Sequence, residues 1–296
     1  MNAATELKTL KTGVMFGESP WWHDGRLWFC DWVAGEVIAV DLDGHSEVVA
    51  RIPSFPFCID FDADGNLLII SGRQGLVLKR ASDGSLQTQA DLTSLHVSTW
   101  NEITVDARGN AYVNGGEPPS AESRTAGGIV ALVTPDGASR KVAEGIAFPN
   151  GMAAFLTAAD AGSRTLSAAN ATLIVADSYA RQLIGFDIAA DGSLANRHVW
   201  ADLGDGVPDG ICLDAEGAVW YADVPNQRCV RVREGGEVLQ TIHADQGCFS
   251  CALGGPERRT LFIVTMEWRG FEHVAEVAQA RTGRVLAVDV PVPGLA

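Results

Sequence analysis

Several things are scarce in this 296-residue chain, and each scarcity closes off a class of function. Basic residues are few: 22 Lys and Arg stand against 37 Asp and Glu, a formal charge of −15 that opposes phosphate backbones and anionic lipid surfaces. Nucleic acid and membrane surfaces are therefore excluded as expected partners. No apolar run approaches the roughly 20 residues needed to span a bilayer, and Met1 to Gly13 has no apolar h-region. A soluble, cytoplasmic protein is the expectation. The Gly-x-Ser-x-Gly elbow of serine hydrolases is missing around Ser19 and Ser250. His23, His45, His96, His198, His243 and His273 show no pairing at metal-ligand spacing. Six cysteines are scattered along the chain, and Cys248-Phe249-Ser250-Cys251 has no second pair to complete a zinc site. They are expected as buried, reduced thiols packing as small hydrophobes. Charged residues are only 20% of the chain, and no segment is polar enough to remain disordered.

What is abundant is repetition. A unit recurs in which Asp-x-x-Gly precedes an apolar strand, a Gly-containing turn, a second strand and a closing Asp-Gly. One copy holds His23-Asp24-Gly25 before Arg26-Leu27-Trp28-Phe29, then Gly35 to Asp41 and Asp43-Gly44. Further copies centre on Asp62-Ala63-Asp64-Gly65, Asp106-Ala107-Arg108-Gly109 and Asp214-Ala215-Glu216-Gly217. Two less regular ones run through Thr172 to Asp177 and through Arg259 to Val264 with Gly283 to Asp289. Asp-Gly and Asn-Gly supply the positive φ of tight hairpins, so each unit reads as several short strands. Six such units at a period of about 40 to 50 residues predict an all-β fold, a six-bladed β-propeller spanning 1–296 as one domain. The Glu6 to Val14 stretch is expected to complete the last blade and remove an open edge. Two irregular stretches stand out, Gly115 to Gly127 and an Ala/Ser-rich insertion from Ala153 to Ala171.

In such a fold the innermost strand of each blade lines a central channel. The equivalent positions are Glu18, Phe57 or Cys58, Asn101, Asn150, Asp209 and Phe249, and four carry oxygen. Carboxylates and amides gathered in a narrow channel repel or stay unpaired unless a cation satisfies them. Oxygen donors suit one hard divalent ion, Ca²⁺ first, with Mg²⁺ and Mn²⁺ next and Zn²⁺ as a less fitting choice. For Asn150 or Asp209 taken alone, a turn role beside its glycine is the favoured reading, and it is the set at matching repeat positions that favours the metal.

The segments Gly17-Glu18-Ser19-Pro20-Trp21-Trp22, Trp100-Asn101-Glu102, Phe148-Pro149-Asn150-Gly151-Met152 and Pro208-Asp209-Gly210-Ile211 occur in this order along nearly the whole chain. Together they resemble the SMP-30/gluconolactonase/regucalcin family. The resemblance implies a six-bladed propeller with one divalent cation and hydrolysis of lactones. It implies Glu18, Asn150 and Asp209 as metal ligands, Asp209 also as general base, and Asn101 as a channel-facing group that contacts substrate or supplements the metal shell. Sugar-lactone members carry an Arg two residues before that Asn, where this chain has Thr99, which offers no fork of donors. With Trp100 beside it, the expected ligand is flatter or more apolar than gluconolactone. Glu117 falls near a substrate-binding Glu of the family. Two other readings keep the fold: a phosphotriester hydrolase on the same ion, and a non-catalytic cation-binding or ligand-sensing propeller.

Overall fold

The computed structural model describes residues 6–95, 98–116, 127–156 and 171–295. Among these residues the strands form six four-stranded antiparallel sheets, the blades of a six-bladed β-propeller. The chain falls into two compact units of three blades each, one made of 1–55 and 206–296, the other of 56–205.

In the first unit, one blade contains β2 (Gly17–His23), β3 (Arg26–Asp31), β4 (Glu36–Val40) and β5 (Ser46–Arg51). The next contains β18 (Pro208–Leu213), β19 (Val219–Asp223), β20 (Arg228–Val232) and β21 (Val238–His243). The third contains β22 (Gly247–Gly254), β23 (Thr260–Met266), β24 (Gly283–Asp289) and, as its outer strand, β1 (Lys8–Val14). Pairing of β1 with β24 ties the start of the chain to its end and covers the edge of that blade, as the sequence predicts. Both β2 and β18 pack against β22. Helix α1 (Val274–Ala280) interrupts this blade between β23 and β24.

The second unit holds β6 (Phe57–Phe61), β7 (Leu67–Ser71), β8 (Leu76–Arg80) and β9 (Leu86–Asp91) in one blade. Its second blade is β10 (Trp100–Val105), β11 (Ala111–Gly115), β12 (Gly128–Val133) and β13 (Ser139–Ile146). The third is β14 (Pro149–Leu156), β15 (Ala171–Asp177), β16 (Gln182–Ile188) and β17 (Leu194–Asp202). Its inner strands lie side by side, β10 between β6 and β14. The Ala153 to Ala171 insertion is shorter than the sequence suggests: 153–156 continue β14, Ala171 opens β15, and 157–170 lie outside the described residues.

The repeated Asp-x-x-Gly is a turn device. Asp62, Asp106 and Asp214 each accept the glycine N–H three residues on at their own carbonyl, at 2.9, 2.9 and 3.0 Å. Each Oδ1 accepts further turn amides, such as Arg108 N and Asn110 N at 2.9 Å on Asp106. A short side chain that bonds its own backbone two residues on ends one strand and starts the next. Burial grades outward within each blade. In β7 and β19 every residue is buried, whereas the outer β5, Ser-Glu-Val-Val-Ala-Arg, is mostly exposed. Second strands, covered on both faces by neighbouring blades, need apolar residues at every position rather than at alternate ones.

Candidate active site

Each candidate oxygen donor sits at a break in strand pairing. In the β2–β3 ladder, Glu18 pairs with Cys30 but Trp21 with Trp28, so three residues on one strand oppose two on the other. The same irregularity lies between Trp100 and Ile103, between Pro149 and Met152, and between Pro208 and Ile211. One extra residue also falls between Cys248 and Ser250, around Phe249, in a blade whose equivalent place carries no carboxylate or amide. The β6 blade, with Phe57 or Cys58 at that place, offers none either, and there β6 pairs with β7 without a shift from Phe57 to Phe61. An extra residue bends the strand and re-aims its side chain. Asn101, Asn150 and Asp209 lie inside such bulges and Glu18 borders one, at the point where the regular alternation of side chains breaks.

In the first unit Glu18 is buried, at 3% exposure, with Oε2 3.3 Å from Ser19 N. Ser19 has φ of 52°, the left-handed conformation that turns the chain inside the bulge. Asp209 is half-buried and is followed by Gly210, where a Cβ would land on the Ser250 side chain of β22. Only glycine lets the bulge carrying Asp209 approach β22 so closely.

In the second unit Asn101 and Asn150 lie together: Asn101 Nδ2 donates to Asn150 Oδ1 at 3.3 Å. Asn150 is 9% exposed, and its carbonyl accepts from Asn114 Nδ2 at 2.6 Å, with Ser178 Oγ 3.5 Å from its amide nitrogen. Thr99 is half-buried and its carbonyl accepts Gly116 N at 3.1 Å. Trp100, expected at the pocket wall, is 1% exposed, its indole packed beside the Gly75 turn. Glu117, like His96, lies outside the described residues.

Glu18 and Asp209 in the first unit bring carboxylates, and Asn101 and Asn150 in the second bring amide oxygens, donor types whose chemistry fits a hard divalent cation. The cysteines fit the sequence expectation: all six are free thiols, and five are buried. Cys251 Sγ lies 3.8 Å from Cys212 Sγ, within an apolar cluster containing Trp220, Leu261 and Ile263. Among the described residues, one group of three His, Cys, Asp or Glu ligand atoms lies mutually within 4.8 Å, Asp41, Asp43 and His45. It is an exposed hairpin turn in which Asp41 Oδ1 accepts Asp43 N and His45 N, each at 2.9 Å.

Two features escape a reading of sequence alone. The first is a buried acid pair, Glu102 on β10 and Asp60 on β6, at 7% and 2% exposure. Burial lifts Glu102 from 4.5 to about 7, despite a bond from the Cys58 thiol, and lifts Asp60 well above its ordinary value despite amide bonds from Phe61 and Val105. The second is an aspartate closing β3, β15 and β19, namely Asp31, Asp177 and Asp223, all at most 2% exposed. The recurring strand-Asp ending, Cys30-Asp31, Ala176-Asp177 and Ala222-Asp223, is the signal that could have found it. An aromatic group, Phe16, Trp32, Phe55, Phe249 and Trp268, also gathers in the first unit, with Phe16 and Trp32 centroids 5.0 Å apart.

The family model described as SMP-30/Gluconolactonase/LRE-like region matches residues 16–267. A 6-deoxy-6-sulfogluconolactonase of Pseudomonas putida is 26% identical over 98% of this chain and 97% of its own. A pentonolactonase of Haloferax volcanii is 24% identical over 88% of this chain and 85% of its own. Among solved structures, a calcium-binding regucalcin from Agrobacterium tumefaciens superposes with a TM-score of 0.77 at 19% identity, covering 98% of this chain and 96% of its own. At that identity the likeness establishes the fold alone. No described helix is long and apolar enough to cross a membrane.

Proposed function

This chain belongs to the SMP-30/Gluconolactonase/LRE-like family, and from that premise we propose that it is a divalent-cation-dependent hydrolase of lactones. Glu18, Asn150 and Asp209 hold the cation in this reading, Ca²⁺ being the first choice and Mg²⁺, Mn²⁺ or Zn²⁺ the others. The observation that carries it is that Glu18, Asn101, Asn150 and Asp209 stand at equivalent places of the inner strands of four blades, each at a strand bulge. The names of the two lactonase relatives support the reaction class.

A bound divalent ion would supply electrophilic activation of the lactone carbonyl and ease ionisation of water. The chain's own residues do the rest. Asp209, the less buried of the two carboxylates, takes the proton from the attacking water, a role in which a positioned carboxylate contributes about 10²- to 10⁴-fold. Asn101 presents its amide to the substrate oxygen, and its contact with Asn150 couples substrate placement to the ligand beside it. Thr99, in place of a forked cation, supplies a single hydroxyl, which favours a lactone with fewer hydroxyl groups to hold. Glu117 joins the substrate groups in this proposal, and Trp100 supports Asn101 from within the blade.

The test is lactone turnover by wild type before and after chelation and re-addition of metal, with Asp209→Asn alongside. Loss on chelation, recovery with one divalent cation and a fall of at least about 100-fold in Asp209→Asn are expected. Turnover that survives chelation and Asp209→Asn contradicts the proposal.

A further inference from the structure

The three aspartates that close second strands occur in the three blades whose inner strands carry Glu18, Asn150 and Asp209. Asp31 faces Gly17 across its ladder, Asp177 faces Pro149 and Asp223 faces Pro208, each partner being the residue just before a donor. Their carboxylates hold the incoming backbone. Asp31 Oδ1 accepts Phe16 N at 3.0 Å and Oδ2 accepts Met15 N at 2.8 Å. Asp177 repeats this, Oδ1 with Phe148 N at 2.9 Å and Oδ2 with Ala147 N at 3.1 Å. Asp223 Oδ1 accepts Val207 N at 3.3 Å, and both its oxygens engage Asn226 and Arg228. In every case the amide held belongs to the residue two before the donor, so the clamp is in phase with the donor and not merely near it.

The other three blades carry Ser71, Gly115 and Met266 at the matching place. Asn101 therefore has a bulge without an aspartate clamp. This pattern separates Glu18, Asn150 and Asp209 from Asn101 on grounds independent of any relative. A buried carboxylate is costly unless its oxygens are bonded, and here each bonds, among other partners, the peptide N–H two residues before the donor, just ahead of the bulge. Fold alone does not require an aspartate there, because β7 ends in the equally buried Ser71.

We propose that Asp31, Asp177 and Asp223 are positioning residues for the cation site: each fixes the peptide two residues before one ligand and so aims that ligand. The inference rests on the ligand set proposed above. Groups that orient metal ligands typically change affinity by about 10- to 100-fold when lost. Asp177→Asn places an amide N–H against backbone N–H groups, freeing the approach to Asn150. Asp31→Ser and Asp223→Ser install the residue that β7 carries at this place, so that a fold-compatible variant exists for each of the other two ligands.

The experiment is calorimetric titration of chelator-stripped protein with MnCl₂, paired with thermal melting of the metal-free form. The control is Asp106→Asn, whose buried carboxylate holds the turn after β10 through Arg108 N and Asn110 N. Any clamp variant that folds is expected to bind Mn²⁺ at least about 10-fold more weakly than wild type. Asp106→Asn is expected to melt lower with its Kd unchanged. Clamp variants with wild-type Kd, or an equal loss in Asp106→Asn, overturn the inference while leaving the ligand set standing. A wild-type protein that takes up no divalent cation overturns the ligand set itself and this inference with it.

Discussion

Replacing Glu102 by Gln removes a proton-binding group from the interior of the β6–β10 pair while keeping its shape. In the folded chain burial raises this carboxyl from 4.5 to about 7. A raised acid keeps its proton in the folded state at pH values where the unfolded chain has released it, so stability falls as pH rises across that interval. The contribution is whole below about pH 4.5 and lost by about pH 7. At about 1.4 kcal/mol per pH unit, the wild type gives up about 3 kcal/mol over this range on account of Glu102. Asp60, raised for the same reason and further by the nearby Glu102, pulls in the same direction. The assay is urea unfolding at half-unit steps from pH 4.5 to 7.5, for wild type and Glu102→Gln. The difference between the two profiles should change by about 3 kcal/mol, with the variant losing less stability as pH rises. Parallel profiles refute the claim that this carboxyl is buried in an apolar setting.

Three further outcomes follow from packing and chemistry. Gly210→Ala drives a methyl into Ser250, and overpacking of this kind should cost about 1–3 kcal/mol in thermal or urea unfolding; Ser250→Gly in the same chain should recover part of it. Trp100→Ala empties a site that is 1% exposed, and should destabilise by about 3–5 kcal/mol in urea unfolding, a loss far larger than an exposed pocket wall would give. In a lactone panel, substrates with an apolar or aromatic face should show higher kcat/KM than polyhydroxylated aldonolactones, in keeping with Thr99, which offers no fork of donors for sugar hydroxyls; the reverse ranking removes the substrate preference but not the reaction.

The blade count was legible because its signal is local. Asp62, Asp106 and Asp214 shape their turns with their own side chains and the next four residues, so the repeat survives in one dimension. Pairing of β1 with β24 was legible from the polar-apolar Glu6 to Val14 stretch left over before the first repeat. The oxygen donors could be picked out by repeat position, yet nothing in one strand shows that it bulges, because a bulge is a mismatch in count between two strands. Asp31, Asp177 and Asp223 looked like ordinary strand ends for the same reason: the amides they hold lie 15 to 30 residues away. Glu102 carried no reading of its own in the sequence, since strands buried on both faces erase the alternation that would mark it as interior. Trp100 was read by its chemistry as a ligand wall, where its burial assigns it to packing.

The proposed cation site consists of oxygen atoms of Glu18, Asn150 and Asp209. A crystal of the protein soaked in Mn²⁺ and measured at the manganese edge tests it most directly. A single strong anomalous peak with an oxygen of each of the three side chains within about 2.5 Å is expected. A peak elsewhere, or one whose coordination omits any of the three, contradicts it.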